Sequence, residues 1–487
     1  MDHDSVPFDG DGAKSHRIAD VREAYLRIAS RGLEVMDEKI SGDPSYESNE
    51  DGHFAWDVSL LIRAASHMWR LTDDPVHLDR CARWAQHMVD RTDAARGLEN
   101  WRGLRVPAWS AGSRYTAGNA VVGTIGGSPI RVQAAADHII VDRPTDTTAR
   151  VHAVRHGGRT WSSPVASLLP GDDNYLPDVL ARLSASFSVL VRGLPGPIDL
   201  TGIEAGTYDL TTQHAAHLVH TGLISRALID AAESLRSAPT GARRASVEPD
   251  DLLAAAESAL LVHDDEIRTR AGQAWYVTLE DFPSRRLGLE LPHNHVVDAA
   301  SSYLILGRIR EDKGLRNLGA SLTRRFMREV DAYMQDTLRH PWYYYPVDSE
   351  IFFGVTRDEP MAERSIPAVP RGEDSSHATM RVRALLDWRA IDAKLVPDEA
   401  LSAIALSFRR HYMASERGIA TLNWLPGDTK GAARRGQADT YPGAWGGLAP
   451  WDSTIKRRIN SMAYRHPPKA IFGATILSAA EIVAMNT

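Results

Sequence analysis

Apolar residues along the chain recur mostly every three or four positions, the spacing of helices that bury one face. "DVREAYLRIASRGLEVMDEKI" sets Ala24, Ile28, Leu33 and Met36 at helix-compatible intervals. "FAWDVSLLIRAASHMWRLT" and "VHLDRCARWAQHMVDRT" predict an antiparallel pair turning at "DDPV", where the proline sets the start of the second helix. Helices are also expected over 210–236, in two pieces broken near Gly222, and over 249–271. Pairs follow at 296–310 with 315–338 and at 375–393 with 397–413, and a last helix at 468–485. No consensus repeats at a fixed period, which argues against TPR, HEAT and ankyrin arrays.

Residues 104–168 break the pattern. "TAGNAVVGTIGGSPIRVQ" and "ARVHAVRHGGRTW" are rich in glycine, valine and threonine and partly alternate, so a β-rich or irregular insertion is expected there. "GTIGGSP" has neither GxGxxG spacing nor a GK[ST] ending and is no phosphate loop. Loops rich in aromatic and charged residues fall at 272–292, 339–372 and 414–467, lengths usually reserved for function. The expectation is one mainly α domain over 1–487, an (α/α) toroid or incomplete barrel of antiparallel helix pairs. Inner helices would line a funnel, and loops at one end would build a site. An open α-solenoid is the competing architecture.

Composition narrows the partners. The 487 residues are 43% hydrophobic and 24% charged, with a net charge of −7, so no basic excess suits a nucleic acid. Seven lysines stand among 56 basic residues; the arginine dominance reflects codon bias or a need for planar carboxylate binders. The single cysteine, Cys81, permits neither a disulfide within the chain nor a cysteine metal cluster. "MDHDSVPFDGDGAKSHRIAD" lacks the pattern of a signal peptide. "AIFGATILSAAEIVAM" is too short to span a bilayer and carries Glu481. A cytoplasmic protein without a membrane partner is expected, its oligomeric state open.

Several stretches carry candidate chemistry. In Pro292-His293-Asn294-His295 an amide could donate to a carboxylate and a neutral imidazole could accept a proton. The plainer reading has Asn294 capping a helix that starts near Val296 while His295 packs. "HPWYYYPVDSE", residues 340–350, reads as extended between its prolines, turning Tyr344 away from Tyr343 and Tyr345, or else as an aromatic wall. In "RGEDSSHATMRVRALLDW", Asp374 or Ser375 is an N-cap and His377 sits in the first turn, where the helix dipole favours a neutral ring. Glu373 and Asp374 could orient His377 or bind a substrate hydroxyl. "HAAHLVH" aligns His214, His217 and His220 on one helical face without an obvious acidic partner, so no metal is expected. "DGHFAWD" places His53, Trp56 and Asp57 at a helix start, with Trp56 as a sugar platform or a core residue. Signatures of serine hydrolases, zincins and kinases are missing.

Together, the Asn294-His295 pair, the tyrosine segment about 50 residues later and the helix pairs resemble the toroidal polysaccharide lyases, which act on uronic-acid glycans such as alginate and glucuronan. The resemblance implies that Asn294 neutralises the substrate carboxylate, that His295 is catalytic and that Tyr344 or Tyr345 supplies the phenol. It brings His377 in as a second histidine. The reaction would be β-elimination on an acidic oligo- or polysaccharide, with Arg371 or Arg381 helping to stabilise the enolate. Trp275, Trp342 and Trp445 would offer stacking faces, and His53, Trp56 and Glu373 further contacts. No cofactor is needed, and a divalent ion is not expected. Two alternatives stand beside this. One is a glycoside hydrolase or uronate epimerase on the same toroid, hydrolysis drawing on Glu373, Asp374, Asp348 and Glu350. The other is a non-enzymatic helical scaffold or carbohydrate-binding protein, its polar groups scattered.

Overall fold

The computed structural model describes residues 14–487 apart from 113, 155–159, 184–187, 192–196, 240–246, 280–281, 284–288, 337–340, 350–371, 417–418, 424, 427–441, 466 and 469–470. The fold is mainly α. The first helix, Lys14–Gly42, buries Val21, Tyr25, Ala29, Leu33, Met36 and Ile40, one face at a spacing of three to four, while Ala24 and Ile28 flank it. The expected pair is present as Ser59–Thr72 and Pro75–Val89. Asp73 in the left-handed region ends the first helix; Asp74 caps the second and Pro75 opens it.

Five helices form a cycle of neighbours. Ser59–Thr72 packs on Leu218–Ser237, which packs on His293–Ile309, which packs on Ser375–Ile391. A short turn, Gly443–Gly446, bridges from there to Gly473–Met485, and Gly473–Met485 returns to Ser59–Thr72. Gly443 lies so close to the 473–485 backbone that any Cβ would collide with Ser478. Outside this cycle, Lys14–Gly42, Pro75–Val89, Pro249–Leu261 and Lys313–Gln335 each cover an inner helix. The Leu218–Ser237 helix is unbroken at Gly222, contrary to the sequence expectation. That glycine lets the 293–309 backbone approach, since a Cβ would meet Ala299 N at 3.0 Å.

Where the inner helices face one another the filling is ionic. Arg63 contacts Asp230 at 3.2 Å and Asp298 at 3.3 Å; Arg226 binds Asp230 and Asp387; Arg383 binds Glu481 at 2.6 Å. These groups are largely buried, so each depends on its partner: deleting one member of such a set typically costs about 3–5 kcal/mol. The network ties all five inner helices together below the end of the cycle that carries their N-termini.

The insertion is β-rich and larger than 104–168. Strands β1 Gly118–Ile125, β2 Ser128–Ala134, β3 His138–Thr145, β4 Thr148–Val154, β5 Thr160–Ser162, β6 Ala166–Ser167, β7 Ser188–Val191 and β8 Gly206–Asp209 pair antiparallel. They form sheets ordered β1-β2-β7 and β5-β4-β3-β8, with β6 beside β4. Ile130, Val132, Ile139, Val141, Val151 and Leu176 make a second core, separate from the helical one.

The 249–271 expectation also changes. The helix Pro249–Leu261 stops early, and Ile267–Arg270 pairs with Gln273–Tyr276 as a hairpin. Ala271 and Gly272 both take positive φ, as a tight hairpin turn demands. The stretch 414–467 contributes a hairpin and the helix Ser453–Arg465. No described helix is long and apolar enough to cross a membrane.

Candidate functional site

The N-terminal ends of the inner helices converge. Trp56 lies on a π-helical turn, Phe54–Val58, that leads directly into the 59–72 helix; such turns often mark functional positions. The Asp57 carboxylate accepts from the Gly473 N–H at the start of the 473–485 helix. His217 is the N-cap residue of the 218–237 helix, and His220 lies in its first turn. His293, Asn294 and His295 open the 293–309 helix, and Asp374 caps the helix whose first turn holds His377. The ring of Trp56 meets His220 at 5.8 Å and His377 at 6.1 Å, both edge-on. His217 and His220 lie 5.6 Å apart, Tyr115 packs 4.7 Å from His220, and Tyr344 lies 6.4 Å from His295. Helices directing their positive dipole ends toward one locus favour a negatively charged occupant.

The histidines divide into two charge classes. Burial, reinforced by His377 and His217, depresses His295 to about 3. Burial also lowers His217 to about 4 and His220 well below the ordinary imidazole value. One nitrogen of the His220 ring is held as an acceptor, which opposes its taking a second proton. The Trp56 indole N–H can only donate, and it does so to His220 Nε2 at 3.0 Å. The Asn49 side chain lies beside the other ring nitrogen, its Nδ2 3.2 Å from His220 Nδ1; Nδ2 also donates to Trp109 O, and Oδ1 accepts from Ala55 N–H. His377 is the opposite case. Burial would lower it, yet the hydrogen bond to Asp374 and the charges of Asp374 and Glu373 raise it above 6.5. His377 is therefore not the neutral ring that the helix dipole alone would favour: a carboxylate 2.6 Å from Nδ1 outweighs a helix end.

The tyrosine segment is sewn to two of these helix starts. His293 N donates to Tyr344 O, Glu373 N donates to Trp342 O, and Tyr343 bridges Gly372. Arg381 donates to the carbonyls of Pro341 and Tyr343. The chain bends here, so the rings of Tyr344 and Tyr345 touch at 5.0 Å instead of facing opposite sides. Both rings are partly exposed.

Several expected site residues take other places. Arg381 is fully buried, 2.5 Å from the equally buried Glu373, whose carboxyl burial pushes up to about 7 against the pull of Arg381. Neither reaches solvent; together they hold the tyrosine segment. Trp342 and Trp445 are also fully buried. Trp342 donates to Ser407 Oγ, Trp445 stacks on Phe408, and neither offers a face to a sugar. Trp275 lies beneath Arg325 and lines a small cavity with His293, outside the ring contacts that join the cluster. His53 packs on Tyr46 at 4.7 Å. Arg371 falls outside the described residues. Asn294 sits at the second position of its helix, so it is no cap; it is 1% exposed, and its amide atoms have no partner among the described residues. His214 precedes the 218–237 helix, so the three-histidine stripe does not share one helical face. Among the described residues no group of three or more His, Cys, Asp or Glu is arranged to hold a metal.

Tyr115, Arg114 and Asn49 belong to the cluster and had no signal in the sequence. They lie in loops of unremarkable composition, and only the fold brings them to His220. His217 and His220 did carry a signal in the spacing of "HAAHLVH". Comparison with protein-family models, curated proteins and solved structures finds no match for this chain.

Proposed function

We propose that the protein is a carbon–oxygen lyase that cleaves a uronic-acid-containing saccharide by β-elimination at the His295–His377 cluster. The cycle of five inner helices, with outer helices behind them, supports an (α/α) toroid whose N-terminal end holds the site. The observation that carries the reading is the pairing of opposite charge states. A histidine kept neutral and one held by a carboxylate sit with two tyrosines at helix ends that favour an anion. Groups whose surroundings push their pKa values apart are the usual mark of acid and base assignments.

The steps follow from these states. A uronate Cα–H is weakly acidic while its carboxylate keeps full charge. The His377 imidazolium, oriented by Asp374, offsets that charge and the enolate that develops from it. His295 takes the proton on the carbon beside the carboxylate, and the C–H electrons become the new carbon–carbon double bond. The bond to the glycosidic oxygen breaks, and Tyr344 protonates the departing oxygen. Trp56 offers a partly exposed indole beside both histidines for a sugar ring. In this scheme the buried Asn294 stays out of the chemistry, and His377 takes over the charge-offsetting role that the resemblance implies for Asn294.

Hydrolysis has less support. It needs two carboxylates flanking the bond, whereas Glu373 is buried, Asp374 is engaged with His377 and Asp348 is bound by Arg325 and Arg328. Glu350 lies outside the described residues. Mass analysis of the products from alginate and glucuronan oligosaccharides tests the proposal. Elimination gives fragments whose masses sum to that of the substrate; fragments together heavier by one water would assign a hydrolase instead.

A further inference from the structure

With Arg381 committed to Glu373 and Asn294 buried, the cluster still needs a group that recognises an acidic sugar, and one side chain at its edge is suited to it. Arg114 is exposed, lies with its guanidinium 5.5 Å from the centre of the Tyr115 ring, and donates to the Asp51 carbonyl at 3.2 Å. No carboxylate pairs with it among the described residues, whereas Arg96 close by in sequence is tied to Glu50 at 2.6 Å. Tyr115 in turn packs 4.7 Å from His220, and the Arg114 charge is felt at that histidine. The position of the pair is fixed from below. Gly52 has φ +81°, and an added Cβ there would come within 3 Å of the Tyr115 ring, so the loop and the ring are fitted to each other.

We infer that Arg114 is a specificity-determining residue, a cation at the rim that binds a carboxylate of the saccharide and selects acidic chains over neutral ones. The inference rests on the acidic-saccharide reading above and assigns the receptor for the charge. The guanidinium is stacked on an aromatic face, which holds its plane while leaving N–H groups for a two-point contact with a carboxylate. Tyr115 therefore acts as a positioning residue for Arg114.

The test is calorimetric binding in a His295→Gln background, where turnover is slowed at least about a hundredfold. Glucuronan and alginate oligosaccharides are compared with the same oligosaccharides methyl-esterified at every carboxyl. The background protein binds the acids more tightly than the esters. Adding Arg114→Gln weakens acid binding by roughly ten- to a hundredfold, the range for a charge-assisted hydrogen-bonded contact, and leaves ester binding unchanged. Arg114→Lys restores part of the preference, and that part fades with added salt. If Arg114→Gln keeps the full preference for the acid, the assignment to Arg114 is wrong while the acidic-saccharide reading survives. If the background protein binds neither form, that reading fails and the inference falls with it.

Discussion

The Asp374 carboxylate serves two groups at once: Oδ2 lies 2.6 Å from His377 Nδ1, while Oδ1 accepts from the backbone N–H groups of Ser376 and His377. One side chain thus starts the helix and sets the charge of its first-turn histidine. These contacts, chiefly the His377 bond working against burial, hold Asp374 at about 2. The signs define a stability window. His377 has a raised folded pKa, so its contribution is complete below the unfolded value of about 6.5 and is lost as pH rises through the folded value. Asp374 has a depressed one, so its contribution is present above about 3.9 and is lost as pH falls toward 2. Asp374→Asn keeps a capping side chain and removes only the charge. The alkaline limb of kcat/KM should then move to lower pH, measured as a pH profile, and the melting temperature should fall within the window above about pH 3.9 where the charged pair contributes. Asp374→Ala should show the same shift and lose about 1 kcal/mol more than Asp374→Asn, the usual worth of a cap.

His295→Gln should lower kcat by roughly a hundred- to ten-thousandfold, the usual worth of a positioned base, and leave the circular dichroism spectrum unchanged. Because His295, His217 and His220 stay neutral far below the ordinary imidazole range, the wild-type acid limb should fall below pH 5 in any range where the protein stays folded. An acid limb near 6.5 would mean that none of these three is the group whose neutral form is needed.

Tyr344→Phe and Tyr345→Phe should differ. The Tyr344 ring lies beside His295, whereas the ring contact of Tyr345 among the described residues is Tyr344 itself. Steady-state kinetics should show the larger loss, at least about a hundredfold in kcat, for Tyr344→Phe. Equal, small effects would remove the phenol from the proton transfer.

Arg381→Met should act on folding. It strands Glu373 in the interior and releases the carbonyls of Pro341 and Tyr343. Urea denaturation should reveal a loss of about 3–5 kcal/mol. The conservative Arg381→Lys should recover part of it.

The helices were legible in the sequence because a buried face leaves a 3.6-residue imprint, as in Lys14–Gly42 or Lys313–Gln335. Gly222 was misread because glycine lowers helix propensity as a local rule, whereas here the close approach of Ala299 decides. The hairpin at Ile267–Tyr276 was missed because its short strands are polar and follow a helix without a proline between them. Among the site residues, His295, His377, Trp56 and the tyrosines stood out as clustered polar or aromatic groups near helix starts. Which tryptophan joins the histidines did not: Trp56 and Trp342 both sit in aromatic stretches, and only packing separates the ring beside His220 and His377 from the Phe408–Trp445 core. Arg114 and Tyr115 were invisible because nothing local marks a loop pair that meets a helix start more than a hundred residues away.

Ultraviolet absorbance during incubation with uronate oligosaccharides tests the central claim most directly, since elimination leaves a double bond conjugated to the carboxylate. The account predicts a steady rise with the wild-type protein and a rise at least about a hundredfold slower with His295→Gln. Turnover that yields only saturated products, whether cleaved by water or carrying solvent deuterium at the carbon beside the carboxylate, would contradict it.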